Sequence, residues 1–282
     1  MRHLKWLCPL CVVALVLLPQ LVSAQGDEAP FKPTGEVSIG YWPADGAFGS
    51  VWVIGPGQTG RLQADTDARL WTARGEYRFA PKWSAEALLA TGDIRTGPWS
   101  FERPGTSESG LANGDLGMWA VNVYYSVWRS PQPRYGKAST LDVGVGYQHF
   151  REKVVMDRLL PPETAGVVET NHFTAKGLQL GVRGRVPLAK QFDLKAGAFW
   201  QPDEDLRLGY IRDQDQATAY SESGDGDGWG ANLAAVYAPA PAWEVELGYR
   251  YLRHTGSVPA VDMSEVKATQ EGFYLAGSYL FK

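Results

Sequence analysis

The feature of this chain that most restricts its fold is an alternation of apolar and polar residues with a period of two, repeated in ten segments between residues 34 and 281. Successive side chains of a strand point to opposite faces, so each segment reads as a strand with one apolar and one polar face. The segments are 34–43, 66–80, 83–92, 115–128, 139–150, 173–186, 191–201, 228–238, 243–253 and 270–281. In the last, Phe273, Leu275, Gly277, Tyr279 and Phe281 share one face, and Gly272, Tyr274, Ala276, Ser278 and Leu280 share the other. After Ala24 no apolar run approaches the ~20 residues a membrane helix needs, so contact with a bilayer has to be made by strands.

The connections and the aromatics say which kind of all-β fold this is. Ala80-Pro81-Lys82, Pro187 to Lys190 and Pro239 to Ala242 are tight and Arg129 to Ala138 is moderate, while the stretches between them run to about 16–27 residues. Transmembrane barrels alternate short periplasmic turns with long extracellular loops in this way. Trp71 and Phe79, Phe192 and Trp200, Trp229 and Tyr237, Trp243 and Tyr251, and Phe273 and Phe281 are each eight residues apart. Eight residues at ~3.3 Å, tilted by ~40°, climb roughly 20 Å, close to the ~25 Å apolar band that aromatic girdles flank. The expected fold is a closed antiparallel transmembrane β-barrel of ten strands with short periplasmic turns and long extracellular loops.

The polar face carries Arg74, Arg78, Arg183, Arg185, Lys195 and Arg250 against Glu76, Glu86, Asp142, Asp193, Glu244 and Glu246, six charges of each sign. Unpartnered charges in a narrow lumen are costly, so these are expected to pair and fill the interior rather than line a wide channel. At the start of the chain, Arg2, His3 and Lys5 precede an apolar run from Trp6 to Leu18 and the small residues Val22-Ser23-Ala24. That is the pattern of a cleaved secretory leader, residues 1–24, ahead of a barrel at 25–282. Both cysteines, Cys8 and Cys11, fall inside the leader, so no disulfide or thiol chemistry is expected of the mature chain. The net charge of -4, with no basic cluster, gives no reason to expect a nucleic-acid partner.

Several stretches are similar to the omptins, ten-stranded outer-membrane proteases. They are Thr91 to Thr106, with its Gly-Asp, Pro-Trp and Pro-Gly-Thr elements, and Asp115 to Trp128 before a Pro-containing turn. Leu141 to Glu152, Leu178 to Leu194, Arg212 to Tyr220 and the closing hairpin follow. The resemblance covers about two-thirds of the chain and implies an outer-membrane barrel rising above the bilayer, with an Asp-His pair facing an Asp pair across an extracellular cleft. The family's acidic pair has the form Asp-x-Asp-Trp, whereas the matching residues here are Thr96-Gly97-Pro98-Trp99, which keep the tryptophan alone. Its other pair, Asp-x-His, is matched by Asp215-Gln216-Ala217, which keeps the aspartate and lacks the histidine. Three of the four positions depart, and no catalytic residue is assigned.

The fallback candidates for a rebuilt site are Asp213, Asp215 and His254, since general-base action needs a carboxylate within hydrogen-bond reach of a histidine. Of the other mature-chain histidines, His149 falls on the lipid-facing parity. Asp203, Glu204, Asp205, Asp213, Asp215, Glu222, Asp225 and Asp227 crowd the fourth long connection, read as a solvated acidic surface without the bidentate ligand a full calcium loop needs. No metal and no cofactor is expected. The expected partners are outer-membrane lipid, lipopolysaccharide and the barrel-insertion machinery, which would read Tyr279-Leu280-Phe281 ahead of Lys282. The function read from all this is a non-enzymatic outer-membrane barrel whose loops serve structural, adhesive or ligand-binding roles. An omptin-like endopeptidase with a rearranged site and a narrow solute channel are its alternatives.

Overall fold

The computed structural model describes residues 32–158, 168–212 and 220–281. The expected leader and Lys282 lie outside these. The strands are β1 (Thr34–Gly55), β2 (Gln58–Asp65), β3 (Ala68–Ala80), β4 (Trp83–Arg103), β5 (Thr106–Arg129), β6 (Thr140–Arg158), β7 (Val168–Pro187), β8 (Phe192–Arg212), β9 (Tyr220–Ala240), β10 (Trp243–Val258) and β11 (Met263–Phe281). All pairings are antiparallel, and β1 pairs with β11 to close the ring.

The eleven strands make ten staves. The first half of β1 pairs with β3, Thr34 opposite Arg78 through Ala44 opposite Ala68, and its second half pairs with β2, Ala47 opposite Asp65 through Val53 opposite Thr59. On the other side β4 likewise meets β3 along Trp83–Ile94 and β2 along Trp99–Glu102. β2 and β3 are therefore one stave interrupted at Thr66 and Asp67, and the ten expected strands are all present. The interruption is stitched by local bonds. Thr66 N donates to Gly46 O at 2.9 Å, Gly46 N to Asp67 Oδ1 at 3.1 Å, and Gln270 Nε2 to Thr66 O and Oγ1 at 3.3 and 3.1 Å. A side chain at position 46 would come within 2.4 Å of Thr66 O, so the closeness of the two backbones requires glycine.

Most of what the sequence reading leaves as long connections continues as paired strand. β5 has 24 residues, which at ~3.3 Å per residue and ~40° tilt rise roughly 60 Å, far beyond a ~25 Å band. Only the Pro56-Gly57, Pro104-Gly105 and Pro259–Asp262 turns are described at the far end, and Gly57 and Gly105 both take positive φ. The barrel has a base, where Thr34, Phe281 and the short turns lie, and a crown above the bilayer.

Two rings of exposed or half-exposed aromatics mark the band. The lower holds Trp83 against Tyr125, Phe192 against Tyr237 and Trp243 against Tyr279, with ring centres 4.9, 4.9 and 5.1 Å apart. The upper holds Tyr41 against Trp71, Trp119 against Tyr147, Trp229 against Tyr251 and Tyr249 against Phe273, at 5.3, 5.7, 4.6 and 5.2 Å. Exposed Val37, Ile39, Val145, Val182, Leu233 and Leu247 fill the space between them.

Above the upper ring the pattern of faces inverts. In β10 the inward residues run Glu244, Glu246, Gly248 and Arg250 below and then Leu252, while the outward ones run Val245, Leu247 and Tyr249 below and then Arg253, Thr255 and Ser257. Lipid surrounds the lower half and water the upper, so the apolar side turns from outside to inside. The crown interior is consequently an apolar core of Trp42, Phe48, Leu116, Phe150, Met156, Phe173, Leu206, Leu208, Met263 and Val266, all buried.

One carboxyl lies within that core. Glu152 is fully buried, three residues along β6 beyond the ring residue His149, and accepts a hydrogen bond from Gln270 Nε2 at 3.3 Å while its other oxygen has no partner. Burial raises its pKa from 4.5 to about 7, against the smaller lowering effect of hydrogen bonds from Thr66 and Gln270.

The facing of the wall predicts that Leu247→Arg, on the lipid side of β10, loses about 2–4 kcal/mol in urea unfolding from lipid vesicles. Stability equal to the parent's would contradict the facing. The sequence predicts that Gly248→Ala is milder than Leu247→Arg provided the lumen has room, and the room is small: the added Cβ would sit 2.7 Å from Ala234 Cβ, Leu233 O and Tyr274 Cε1. The alanine variant is therefore expected to lose about 1–3 kcal/mol through overpacking. Because folded Glu152 holds its proton more tightly than the unfolded chain does, its contribution to stability falls as pH rises from about 4.5 to about 7 and then levels off. Glu152→Gln should remove that fall, gaining on the order of 3 kcal/mol over the parent at pH 8 relative to pH 4. Identical pH profiles for parent and variant would contradict it.

Candidate functional site

The lower half of the barrel encloses a polar chamber of about 870 Å³, whose lining reaches Thr34, Pro241 and Phe281 at the base and Gln148 and Leu252 beneath the apolar core. The inward parity of β1, β3, β4, β6, β7, β8 and β10 delivers charged residues to it. Four of the six expected basic residues, Arg74, Arg183, Arg185 and Lys195, pair with carboxylates, though together they line a hollow chamber rather than fill the interior as the sequence predicts. Arg183 from β7 is the central tie. It contacts Glu76 at 2.5 Å, Glu86 at 3.0 Å and Asp142 at 3.2 Å, from β3, β4 and β6, and its guanidinium carbon lies 3.9 Å from the centre of the Tyr124 ring. Arg185 bonds Asp193 and, at 2.5 Å, Glu244. Lys195 lies 3.3 Å from both Glu244 and Glu246 and 3.7 Å from Glu36, which also bonds Arg74. These ties cross the lumen, joining staves far apart in sequence.

Two members of this network were missed by the sequence reading. Glu36 lies on the inward parity of the first segment and was legible there. Lys137 belongs to the moderate turn after β5, where Tyr135 and Gly136 take positive φ, and folds back to place its ammonium 3.0 Å from Asp193 Oδ1. A loop residue carries no parity, so no sequence signal could have found it. Two of the cations lining the chamber have no carboxylate within ion-pair distance among the described residues. Arg78 donates to Pro81 O at 3.2 Å at the base, and Arg250 lies between the Trp42 and Tyr274 rings, 5.2 and 4.9 Å from their centres.

The residues singled out as a fallback catalytic set do not come together among the described residues. Asp213 and Asp215 lie outside them. His254 points into the crown core, fully buried, with Nδ1 2.7 Å from Glu204 Oε1 and its ring 4.6 Å from that of Phe150. Neither His254 Nε2 nor Glu204 Oε2 has a hydrogen-bond partner. This is an acid–imidazole pair with the elements of proton transfer, but it is sealed from solvent. Trp99, the one match to the family's acidic motif, is also buried, and its Nε1 donates to Asp157 O at 3.1 Å.

The acidic connection is likewise rearranged. Asp203, Glu204 and Asp205 belong to β8 and Glu222, Asp225 and Asp227 to β9. Glu204 faces inward to His254, because the bulge between Gln201 and Glu204 shifts the register there. Asp205 lies on the outer face 2.9 Å from Lys176. Among the described residues no three His, Asp or Glu side chains form a metal-binding group. His149 is where its parity puts it, stacked on Trp119 on the outer wall at 5.7 Å.

No protein-family model and no curated protein matches this chain. Among solved structures it is similar to the outer membrane protease OmpT of Escherichia coli, at 12% identity and a TM-score of 0.71, over 90% of this chain and 99% of that one. Weaker likenesses join it to the translocator domain of the autotransporter NalP from Neisseria meningitidis (11% identity, TM-score 0.41, over 96% of this chain and 95% of that one). The attachment invasion locus protein Ail of Yersinia pestis, in complex with the heparin analogue sucrose octasulfate, gives 14% identity and a TM-score of 0.33, over 89% of this chain and all of Ail. The resemblance to the omptins thus holds at the level of the fold: a ten-stave transmembrane β-barrel with a tall crown.

Proposed function

We propose that this chain is an integral outer-membrane protein without peptidase activity, exported by its leader at 1–24, whose crown holds up an extracellular surface for structural, adhesive or ligand-binding roles. The observation that carries the reading is the closed interior of the crown. Trp99 and His254 are both turned into an apolar core, so neither residue offers a solvent-facing group to a substrate. Hydrolysis needs a base within reach of an attacking water, and an imidazole sealed against Glu204 and Phe150 does not provide one. The fold shared with OmpT supports the outer-membrane placement and leaves the chemistry to the residues.

The outer wall of the crown supports an interaction with lipid. His149, Arg151, Lys153, His172 and Lys176 lie along β6 and β7 at and just above the upper aromatic ring, with His149 opposite Lys176 and Lys153 opposite His172. Partial burial and the charges of Arg151 and Lys153 hold His172 below the usual imidazole value, so at neutral pH the positive charge of this strip comes from Arg151 and Lys153, Lys176 being paired with Asp205. Phosphate-bearing headgroups of the outer leaflet, lipopolysaccharide among them, fit that position.

The folded protein is expected in the outer-membrane fraction, migrating faster unboiled than boiled on a detergent gel. Recovery as a soluble protein of unchanged mobility would contradict the placement. Incubated with lipopolysaccharide and peptides containing dibasic sites, it is expected to release no fragments. Turnover abolished by Asp215→Asn or His254→Ala in barrels that remain folded would show that a peptidase site has been rebuilt.

A further inference from the structure

Arg250 and Arg78 are the two cations lining the chamber that form no ion pair with a carboxylate among the described residues, and Arg250 alone of the two lies deep in it. Arg74, Lys137, Arg183, Arg185 and Lys195 each reach one or more carboxylates within ion-pair distance. Arg250 reaches none within ion-pair distance among the described residues, its Nη1 is buried without a hydrogen-bond partner, and the faces of Trp42 and Tyr274 lie against its guanidinium. A buried guanidinium nitrogen without an acceptor is costly, and ring faces return only part of that cost. The same chamber holds two more orphaned atoms, the donor Gln148 Nε2 and the acceptor Gln179 Oε1. Gln179 donates to Asn122, which donates in turn to Glu86 at 3.2 Å, so that side of the chamber is otherwise held rigid.

We propose that the chamber is a binding site for a small carboxylate that also bears a hydroxyl or amino donor, entering from the base, with Arg250 as its anchor. The planar guanidinium matches a carboxylate in two parallel hydrogen bonds. Gln148 Nε2 supplies a further donor, and Gln179 Oε1 accepts from the ligand's hydroxyl or amino group. A volume of about 870 Å³ accommodates such a molecule easily. The apolar core above bars passage, so the site is a blind pocket reached from the base, distinct from the crown surface proposed above. It depends on the barrel interior alone and stands whether or not that surface has a ligand.

The test is calorimetric titration of the folded, detergent-solubilised protein with lactate, and with its neutral counterpart lactamide, in chloride-free buffer. Saturable one-to-one binding of lactate and none of lactamide is the expected result. Arg250→Gln should weaken lactate binding about ten- to a hundred-fold, as loss of a charge-assisted hydrogen-bonded pair does, and Arg250→Lys should retain part of it. Should Arg250→Gln lose the heat-modifiable mobility of a folded barrel, Ala120→Phe carries the test, because it fills the chamber from β5 with Arg250 intact and should abolish binding. Absence of saturation by lactate, equal binding of lactamide, or undiminished lactate binding in either folded variant would overturn the proposal.

Discussion

Every backbone N–H and C=O that crosses hydrocarbon has to be paired within the protein, and for strands that is possible only if the sheet closes. The pairing of β1 with β11, from Gly35 opposite Phe281 to Val51 opposite Glu265, meets that requirement and fixes the rest. Closure leaves one face for lipid and one for a narrow interior. Side chains alternate across the wall, so the polar residues that lipid rejects are delivered inward, and confinement makes them pair. Arg183 satisfying three carboxylates from three other staves follows from this one constraint.

The same rule, applied above the bilayer, gives the opposite result. There the outside is water and the inside must supply the core, so Leu252, Phe150 and Val266 face inward where Glu246, Asp142 and Ser278 do so below. The molecule is two barrels of opposite polarity sharing ten staves, charged and hollow in the band, apolar and packed in the crown. The crown core is what makes the lower chamber blind, and it also seals His254 with Glu204.

This inversion explains what the sequence disclosed and what it withheld. Within the band the alternation is clear, and Leu247 outward, Glu246 inward and the paired aromatics could all be assigned from it. At the upper ring the alternation changes sign, so following one parity ends the strand there: the fifth segment stops at Phe150 although β6 runs on to Arg158. Glu152 and Glu204 thus fell in supposed loops and could not be recognised as buried. The β2–β3 interruption was invisible for another reason, since Gly46 and Gln270, which hold Thr66, are distant in sequence. The room at Gly248 could not be read from the sequence, because Tyr274 arrives from the next strand.

The central claim is that the apolar core of the crown closes the interior above a hollow, charged band. Single-channel recording of the folded protein in a planar bilayer addresses this directly. The account predicts a silent membrane, or currents no larger than the noise of a thin, transient leak. Stable, large unitary conductance from the parent protein would contradict it.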